Sequence, residues 1–246
     1  MIIHCGDSFT LGIGCKPEYS YASLINQRFE VPLFNLGKNG SSHFTIYLQV
    51  EYALYLNPKL VIINTTGIDR LDWIKGDLPS PRRLRLTDVD YHSYNVDGEC
   101  FYNKPSAIIS RNPDYNPILF SEPVNGVDEY LHGRASPRLQ SEPKIKLKLM
   151  VDYHGAFSEP AINGVVANGL LVLMARKLEL AGINYVILSS SPELLKLLPE
   201  KNVLNIDLAG MAKQMPDSKG TGHISEIGHI LAADTIQTHI IKHNLY

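Results

Sequence analysis

A serine in a short glycine-containing turn is the first residue of this sequence that could act as a nucleophile. Residues 6–10 read Gly-Asp-Ser-Phe-Thr and directly follow the first apolar run. Ligands of open α/β sheets bind at the carboxyl ends of the strands, and a serine on a turn entering a helix has backbone N–H groups beside its hydroxyl. Ser8 could therefore attack a carbonyl carbon while these N–H groups hold the oxyanion, although an ordinary Ser or Asp helix cap has the same sequence.

A histidine near the end of the chain is the matching candidate for a general base. His223 precedes a stretch that Ser225 can cap as a helix, so its imidazole lies on a loop from which it can reach a serine at another strand end. The spacing His-x-Ser-x-x-Gly-His over residues 223–229 makes an ordinary surface histidine the weaker interpretation. His229 falls inside the helix, and we expect it to be structural.

Two more polar segments follow the second and third apolar runs. Residues 35–42 contain two glycines, Gly37 and Gly40, which allow the backbone to approach a ligand closely, although a plain glycine-rich turn would look the same. Residues 64–70 end a strand at the same predicted edge. The pair Gly12 and Gly14 does not complete a dinucleotide-binding fingerprint, because Pro17 occupies the third glycine position and the pair lies past the strand end.

Short apolar runs alternate with helix-like stretches along the chain. The runs are typical of strands buried on both faces of a parallel sheet, and they cover residues 1–4, 31–36, 60–64, 185–189 and 203–208. The predicted helices cover residues 21–29, 44–56, 161–181 and 227–241. In the long helix, with Gly182 as its stop, the apolar residues at helical spacing are Ile162, Val165, Val166, Leu170 and Leu173. The alternation predicts an α/β sheet in three layers.

The region from Leu71 to Leu149 interrupts this alternation. It is rich in proline and tyrosine, and a structureless loop of this length is unusual in a compact domain. We interpret residues 71–149 as an insertion that serves as a lid or specificity region, because long ordered loops on α/β scaffolds often carry function; a decorated surface loop is the alternative. The sequence is thus expected to form a single domain, residues 1–246, with one insertion.

The composition excludes several classes of protein. The 246 residues include 23 Lys or Arg and 25 Asp or Glu, which gives a formal charge of −2 and argues against nucleic-acid binding by phosphate neutralisation. No apolar run reaches the roughly 18 residues of a transmembrane helix. Cys5, Cys15 and Cys100 are too widely spaced for a disulfide framework or a zinc site. The motif at residues 6–10 leaves no room for a signal peptide, so we expect a cytoplasmic protein.

The four polar segments, in this order, resemble the sequence blocks of the SGNH (GDSL-type) hydrolase family. The resemblance covers about residues 1–70 and 160–246. It implies a flavodoxin-like three-layer α/β/α fold with a central five-stranded parallel sheet. It also implies hydrolysis of esters, including acyl and O-acetyl groups on lipids or sugars, without a metal or another cofactor. In this family Ser8 would be the nucleophile and His223 the general base, and Ser8 and Gly40 would donate backbone N–H groups to the oxyanion.

The third block departs from the family pattern. It normally reads Gly-x-Asn-Asp, and the Asn side chain donates to the oxyanion, but residues 67–70 read Gly-Ile-Asp-Arg. An ionised Asp69 cannot donate, and a carboxylate about 4 Å from an oxyanion would cost roughly 4 kcal/mol at an effective dielectric of 20. Asp69 must then be protonated, turned toward Arg70, or replaced as the third donor by Asn64, Thr65, Thr66 or Arg70.

The acid of the triad is the second departure. The family usually has Asp three residues before the His, where this chain has Gly220, and Asp217 lies six residues before it. The glycines between them could loop out and bring the carboxylate back. We predict that Asp217 bonds the ring nitrogen of His223 that faces away from Ser8, with Asp207 in reserve. A Ser–His dyad oriented by a backbone carbonyl is the alternative.

These inferences predict a carboxylic-ester hydrolase. Its triad would be Ser8, Asp217 and His223, and it would act through an acyl-enzyme on a small-molecule or glycan ester. We expect no nucleic-acid partner and no membrane span. Two rivals stay open: a catalytically inactive binding or structural module of the same fold, and an acyltransferase, since hydrolysis and transfer share one acyl-enzyme.

Overall fold

The computed structural model describes residues 1–68, 71–74, 91–94, 100–103, 123–124 and 160–246. Its strands are β1 (Ile2–Cys5), β2 (Leu33–Asn35), β3 (Leu60–Asn64), β4 (Leu71–Ile74), β5 (Tyr91–Tyr94), β6 (Cys100–Asn103), β7 (Pro123–Val124), β8 (Asn184–Ser189) and β9 (Val203–Asn205). Its helices are α1 (Ser8–Leu11), α2 (Tyr21–Arg28), α3 (His43–Leu56), α4 (Pro160–Leu180), α5 (Pro192–Leu197), α6 (Leu208–Gln214) and α7 (Glu226–Lys242).

Five of the strands form one parallel sheet in the order β2-β1-β3-β8-β9. In its centre, His4 pairs with Asn35 of β2 on one side and with Ile62 of β3 on the other. Counted among themselves, these strands have the order 2-1-3-4-5 of flavodoxin-like sheets, in which ligands bind outside the carboxyl ends of the strands where the order reverses, between β1 and β3. The five-stranded parallel sheet expected from the sequence is confirmed.

Helices cover both faces of this sheet. Alternate residues of a strand point to opposite faces, so Ile3 packs in a core with α3 and α4, whereas Ile2 packs in a second core with α2, α6 and α7. Every residue of β1 and β3 is buried, which explains why all of them except His4 and Asn64 are apolar and why apolar and polar residues do not alternate. The protein therefore has the expected three-layer α/β/α architecture.

Helix α4 buries a different face from the one predicted. The predicted stripe is largely exposed, by 61%, 73%, 56% and 44% at Ile162, Val165, Val166 and Leu173. The residues that pack against the sheet and its neighbours are Ala167, Leu171, Met174, Ala175 and Leu178. Because α4 is apolar on almost every side, its periodicity does not select a face, and the small side chains of two alanines favour close packing on this one.

Strand β9 is shorter than the apolar run 203–208 predicts. It ends at Asn205, and Asp207 is the N-cap of α6, where its side chain accepts a hydrogen bond of 2.8 Å from the backbone N–H of Gly210. This is an ordinary capping contact. The structure therefore gives Asp207 a structural role and does not support it as the reserve acid.

The other four strands form a second, antiparallel sheet in the order β4-β5-β6-β7. Its first strand lies beside α3. All four strands belong to the predicted insertion, residues 71–149, and the remainder of that segment lies outside the described residues. The interpretation of this segment as a lid or specificity region stays a prediction.

Candidate active site

Ser8 lies in a buried turn at the carboxyl end of β1, and residues 6–10 are called the nucleophile turn below. It is the first residue of α1 and is 2% exposed. The N-cap Asp7 accepts a hydrogen bond of 3.1 Å from the backbone N–H of Phe9. Because the first N–H groups of a helix have no acceptor within the helix, the Ser8 N–H can donate to a group outside α1.

The carboxylate of Asp7 ties the nucleophile turn to the end of β3. Its Oδ1 accepts from Asn64 Nδ2 and its Oδ2 from Thr66 Oγ1, both at 3.0 Å. Asp7 is 1% exposed, and these bonds compensate for the cost of burying a carboxyl group. Asp7 thus connects the nucleophile turn to the residues that follow β3, and it fixes the position of Ser8 relative to the segment 64–68.

A buried glutamine of α3 holds the residue where the nucleophile turn begins. The side chain of Gln49 accepts from the backbone N–H of Gly6 at 2.6 Å and donates to the carbonyl of Gly6 at 3.0 Å. Its Nε2 is also 3.4 Å from Oγ of Ser41, next to Gly40, which has a left-handed φ of 72°. One side chain therefore links the nucleophile turn to the loop of the candidate oxyanion donor.

The candidates for the third oxyanion donor differ in whether they have a hydrogen left to donate. The hydroxyl of Thr65 donates to the carbonyl of Leu188 and that of Thr66 donates to Asp7, and a hydroxyl has a single proton, so both threonines are engaged. Asn64 uses one of its two amide hydrogens on Asp7 and keeps the other. Asp69 and Arg70 lie outside the described residues.

Asp217 organises the loop that carries His223, and residues 217–223 are called the histidine loop below. Its carboxylate accepts from the backbone N–H groups of Lys219 at 2.7 Å, Thr221 at 3.0 Å and His223 at 3.2 Å, and from the Thr221 hydroxyl at 2.7 Å. Burial alone would raise the pKa of Asp217, but these hydrogen bonds outweigh it and lower the pKa below its ordinary value. Asp217 is therefore ionised at neutral pH.

The imidazole of His223 lies beside the nucleophile turn. Its ring centroid is 5.3 Å from that of Phe9, the residue after Ser8, and its Nδ1 is 3.0 Å from Oγ1 of Thr221. In the contacts described, Asp217 reaches the imidazole through Thr221 and through the His223 backbone, which differs from the direct contact expected. Among the described residues the Ser8 hydroxyl makes no hydrogen bond, and catalytic hydrogen bonds are often long before substrate binds.

A glycine after α1 allows the histidine loop to approach the nucleophile turn. Gly14 has a left-handed φ of 96°, and a Cβ there would lie 2.9 Å from the Ile224 carbonyl and 3.0 Å from the Cβ atoms of Asp217 and His223. Only glycine fits this contact without displacement of the backbone. Gly14 therefore serves the packing of the histidine loop.

A cavity of about 540 Å³ opens beyond the ends of β3 and β8. It includes Thr66, whose hydroxyl bonds Asp7, so it adjoins the site through that contact. Its wall combines hydroxyl, amide and carboxylate groups with apolar side chains. The lining residues are His43, Thr65, Thr66, Gly67, Ile68, Gly164, Val165, Ala167, Asn168, Leu171, Ser189, Ser190, Ser191 and Glu193.

His229 has the structural role that the sequence predicts. It lies in α7 and is fully buried, and its Nδ1 accepts a hydrogen bond of 3.3 Å from the backbone N–H of Tyr21. Burial lowers the pKa of His229 to about 4, so it is neutral at physiological pH. The cap of α7 is also as expected, since Ser225 accepts from the N–H of Gly228.

Sequence reasoning missed three residues that the site depends on: Gln49, Thr221 and Gly14. An amide in the middle of the largely apolar stretch 44–56 was a signal for Gln49, because a buried amide needs partners. Thr221 and Gly14 had no such signal, since their contacts join segments that only the fold brings together. Within the described residues, no cluster of three or more His, Cys, Asp or Glu side chains could hold a metal, and no helix is long and apolar enough to cross a membrane.

Comparison with known proteins gives a distant likeness to two solved structures. One is the psychrotrophic esterase EstA from Pseudoalteromonas sp., inhibited by monoethylphosphonate, at 12% identity and a TM-score of 0.44 over 98% of this chain and 96% of that one. The other is a protein from Desulfitobacterium hafniense DCB-2 assigned to the G-D-S-L lipolytic family, at 14% identity and a TM-score of 0.44 over 97% and 98%. No family model and no curated protein matches the chain. These values are too low to transfer a function to this chain.

Proposed function

We propose that this protein is a serine-dependent ester hydrolase in which Ser8 is the nucleophile and His223 the general base. The observation that carries the proposal is the meeting of the nucleophile turn and the histidine loop at the carboxyl end of the sheet. The Phe9 and His223 rings are 5.3 Å apart, and Gly14 removes the side chain that would separate the two segments. The two segments lie near opposite ends of the chain, so only the folded structure brings them together.

The reaction would proceed in two steps through an acyl-enzyme. The Ser8 oxygen attacks the ester carbonyl while its proton passes to Nε2 of His223, since Nδ1 lies against Thr221. The imidazolium then returns that proton to the leaving alcohol as the ester C–O bond breaks. Water attacks the acyl-enzyme by the same route, which releases the carboxylic acid and regenerates Ser8.

The oxyanion of each tetrahedral intermediate would be held by backbone N–H groups of Ser8 and Gly40. Both residues lie at the carboxyl edge of the sheet, and the contacts of Gln49 with Gly6 and Ser41 tie their segments together. Preorganised donors of this kind supply a large share of the rate enhancement in acyl transfer. The third donor would be the remaining amide hydrogen of Asn64, or Asp69 in its protonated form.

Asp217 would act as the acid member of the triad by a partly indirect route. It is ionised, and it is bonded to the backbone of His223 and to the hydroxyl that contacts the imidazole. A negative charge here stabilises the imidazolium that forms during the reaction. Its role does not require the carboxylate to touch the ring.

The substrate would be a small-molecule or glycan ester with one part in the cavity beyond β3 and β8. That cavity adjoins the nucleophile turn at Thr66 and mixes polar with apolar groups, as small-molecule sites do. The insertion, residues 71–149, would complete the specificity site as a lid, and the protein would act in the cytoplasm. The same acyl-enzyme would serve an acyltransferase, so the test of function must separate the two outcomes.

The test follows p-nitrophenol release from p-nitrophenyl acetate by the wild type and by Ser8→Ala, with and without an added alcohol such as glycerol. We expect turnover by the wild type and release at the uncatalysed rate with Ser8→Ala, whose fold is checked by circular dichroism. Acetate as the main product in both media supports a hydrolase, and acetylated glycerol as the main product identifies an acyltransferase. Equal turnover by wild type and Ser8→Ala contradicts the proposal.

A further inference from the structure

We propose that Thr221 is a positioning residue that connects Asp217 to the imidazole of His223 and sets the tautomer of the catalytic base. This inference rests on the proposed function, because it concerns the same base. It adds a fourth side chain to the site and makes the acid–base contact indirect. The connection consists of two hydrogen bonds that share the Thr221 hydroxyl.

The direction of both hydrogen bonds follows from the chemistry of the three groups. An ionised carboxylate only accepts hydrogen bonds, and a hydroxyl has one proton and two lone pairs. The Thr221 hydroxyl must therefore donate its proton to Oδ2 of Asp217, at 2.7 Å. It can then only accept at its other contact, so Nδ1 of His223, 3.0 Å away, must carry the ring proton.

The resulting tautomer is the one that a general base needs. With the proton on Nδ1, a neutral imidazole has its lone pair on Nε2. Nε2 of His223 can then accept the Ser8 proton directly, and the ring does not first have to exchange protons with water. Reversal of the tautomer would present an N–H group to the serine and block the first step.

The backbone of the histidine loop is shaped to hold Thr221 in place. Gly220 and Gly222, on either side of it, have left-handed φ values of 66° and 79°, which residues with a Cβ rarely adopt. Thr221 is further anchored by its own backbone N–H, which donates to Asp217 at 3.0 Å. The side chain and the main chain of one residue thus bind the same carboxylate, and this fixes where the hydroxyl can lie.

The solvent exposure of Thr221 limits how much kcat should fall when its hydroxyl is removed. Thr221 is exposed to solvent, so a water molecule can partly replace its hydroxyl when it is removed. We expect Thr221→Val, which keeps the shape of the side chain, to lower kcat for p-nitrophenyl acetate by about 10- to 30-fold, the range for one lost hydrogen bond to a charged or catalytic group. KM should stay within about twofold, since the hydroxyl acts on the base and not on the substrate.

The test combines kinetics with nitrogen NMR of the histidine rings. Wild type, Thr221→Val and Thr221→Ser are compared at a pH where the ring is neutral, and His223→Gln identifies the His223 signals. We expect the Nδ1–H tautomer in the wild type, its loss in Thr221→Val, and recovery of both tautomer and kcat in Thr221→Ser. Thr238→Val removes the hydroxyl of an exposed threonine of α7 that bonds the Asp234 carbonyl, and it should change neither readout.

Two results would overturn the inference. One is an unchanged His223 tautomer in Thr221→Val, and the other is a kcat that Thr221→Ser does not recover. The tautomer can be read whether or not the protein cleaves esters. Absence of turnover in the wild type with an Nδ1–H tautomer that depends on Thr221 would therefore contradict the proposed function and leave the positioning role of Thr221 supported.

Discussion

The nucleophile turn and the histidine loop are held in place in opposite ways. Gln49, Asn64 and Thr66 bond the turn from positions 43, 57 and 59 residues away from their partners. The histidine loop is closed by Asp217, whose carboxylate accepts from donors two to six residues further along the chain and whose backbone N–H donates to the His223 carbonyl at 2.9 Å. The turn therefore depends on long-range contacts with α3 and β3, whereas the loop depends on a single local residue.

Substitutions in the two regions should therefore affect stability and activity differently. The turn forms only when β1, β3 and α3 have assembled, so a change there affects stability together with activity. The loop can lose its internal order while the sheet and its two cores stay intact. Activity without loss of stability should thus be most sensitive to Asp217, and combined effects should mark the residues around Ser8.

Asp217→Asn should have the largest effect on activity among changes outside Ser8 and His223. Asn lacks the charge that stabilises the imidazolium and has one acceptor atom where the carboxylate has two, so both the base and the loop lose support. We expect turnover of p-nitrophenyl acetate to fall by about 10²- to 10⁴-fold, the upper figure being that of such a change in a serine triad. Asp207→Asn is the control, because Asn is an equally good cap for α6. A change of less than about threefold in Asp217→Asn would favour a Ser–His dyad.

Gln49→Leu should affect stability and activity together. It leaves the N–H and carbonyl groups of Gly6 without their side-chain partner in a buried site. We expect the free energy of unfolding, from urea titration, to fall by about 2–4 kcal/mol and turnover of the folded fraction to fall as well. The matched control is Gln237→Leu, which removes a partly exposed contact with Arg28 and should cost about 0.5 kcal/mol or less. Full stability with low activity would contradict the distinction between turn and loop.

Acidification should lower the free energy of unfolding through two buried histidines. Burial lowers the pKa of His4, in β1, and of His229, in α7, from 6.5 to about 4. A folded-state pKa below the unfolded one means that stability is complete above about pH 6.5 and is lost as the pH falls toward 4. Each histidine should cost about 2 kcal/mol at pH 5. His229→Gln should reduce the slope of unfolding free energy against pH, whereas an unchanged slope would show that His229 is not the group responsible.

Gly14→Ala should show the smallest effect and the most local one. The added Cβ meets the carbonyl of Ile224 and the Cβ atoms of Asp217 and His223, so the histidine loop must move away from the nucleophile turn. We expect turnover to fall by about tenfold, a displacement effect of the kind seen when a catalytic group is misplaced. Gly182→Ala, at a φ of 68° with nothing within 4 Å, isolates the backbone strain and should leave turnover unchanged. Equal loss of activity in both variants would argue against the contact.

The sequence predicts the sheet better than it predicts the helices that cover it. All residues of β1 and β3 are buried, and all but His4 and Asn64 are apolar, so their composition alone identifies them as central strands. Helix α4 shows the opposite case, because it is apolar on nearly every side, and only the shape of the sheet surface decides that Ala167 and Leu171 face inward while Val165 and Val166 face outward.

For the site, residue types are predictable and their partners are not. Ser8 and Gly40 could be singled out because each belongs to a short motif that follows a strand, and His223 because it belongs to a short motif that precedes a helix. The contacts of Asp7 with Asn64 and Thr66 could not, since nothing local in residues 6–10 indicates which distant side chains will satisfy a buried carboxylate. Even within the histidine loop, the positions of Asp217 and His223 did not reveal that the Thr221 hydroxyl would lie between them.

Covalent labelling tests the central claim, that the fold makes Ser8 a nucleophile activated by His223, most directly. The intact protein is incubated with a fluorophosphonate, and the mass increase and the modified peptide are determined by mass spectrometry for the wild type, Ser8→Ala and His223→Gln. We expect one phosphonyl group on Ser8 in the wild type, none in Ser8→Ala, and much slower labelling of Ser8 in His223→Gln. Labelling at another residue, or labelling of Ser8 at the same rate without His223, would contradict that claim.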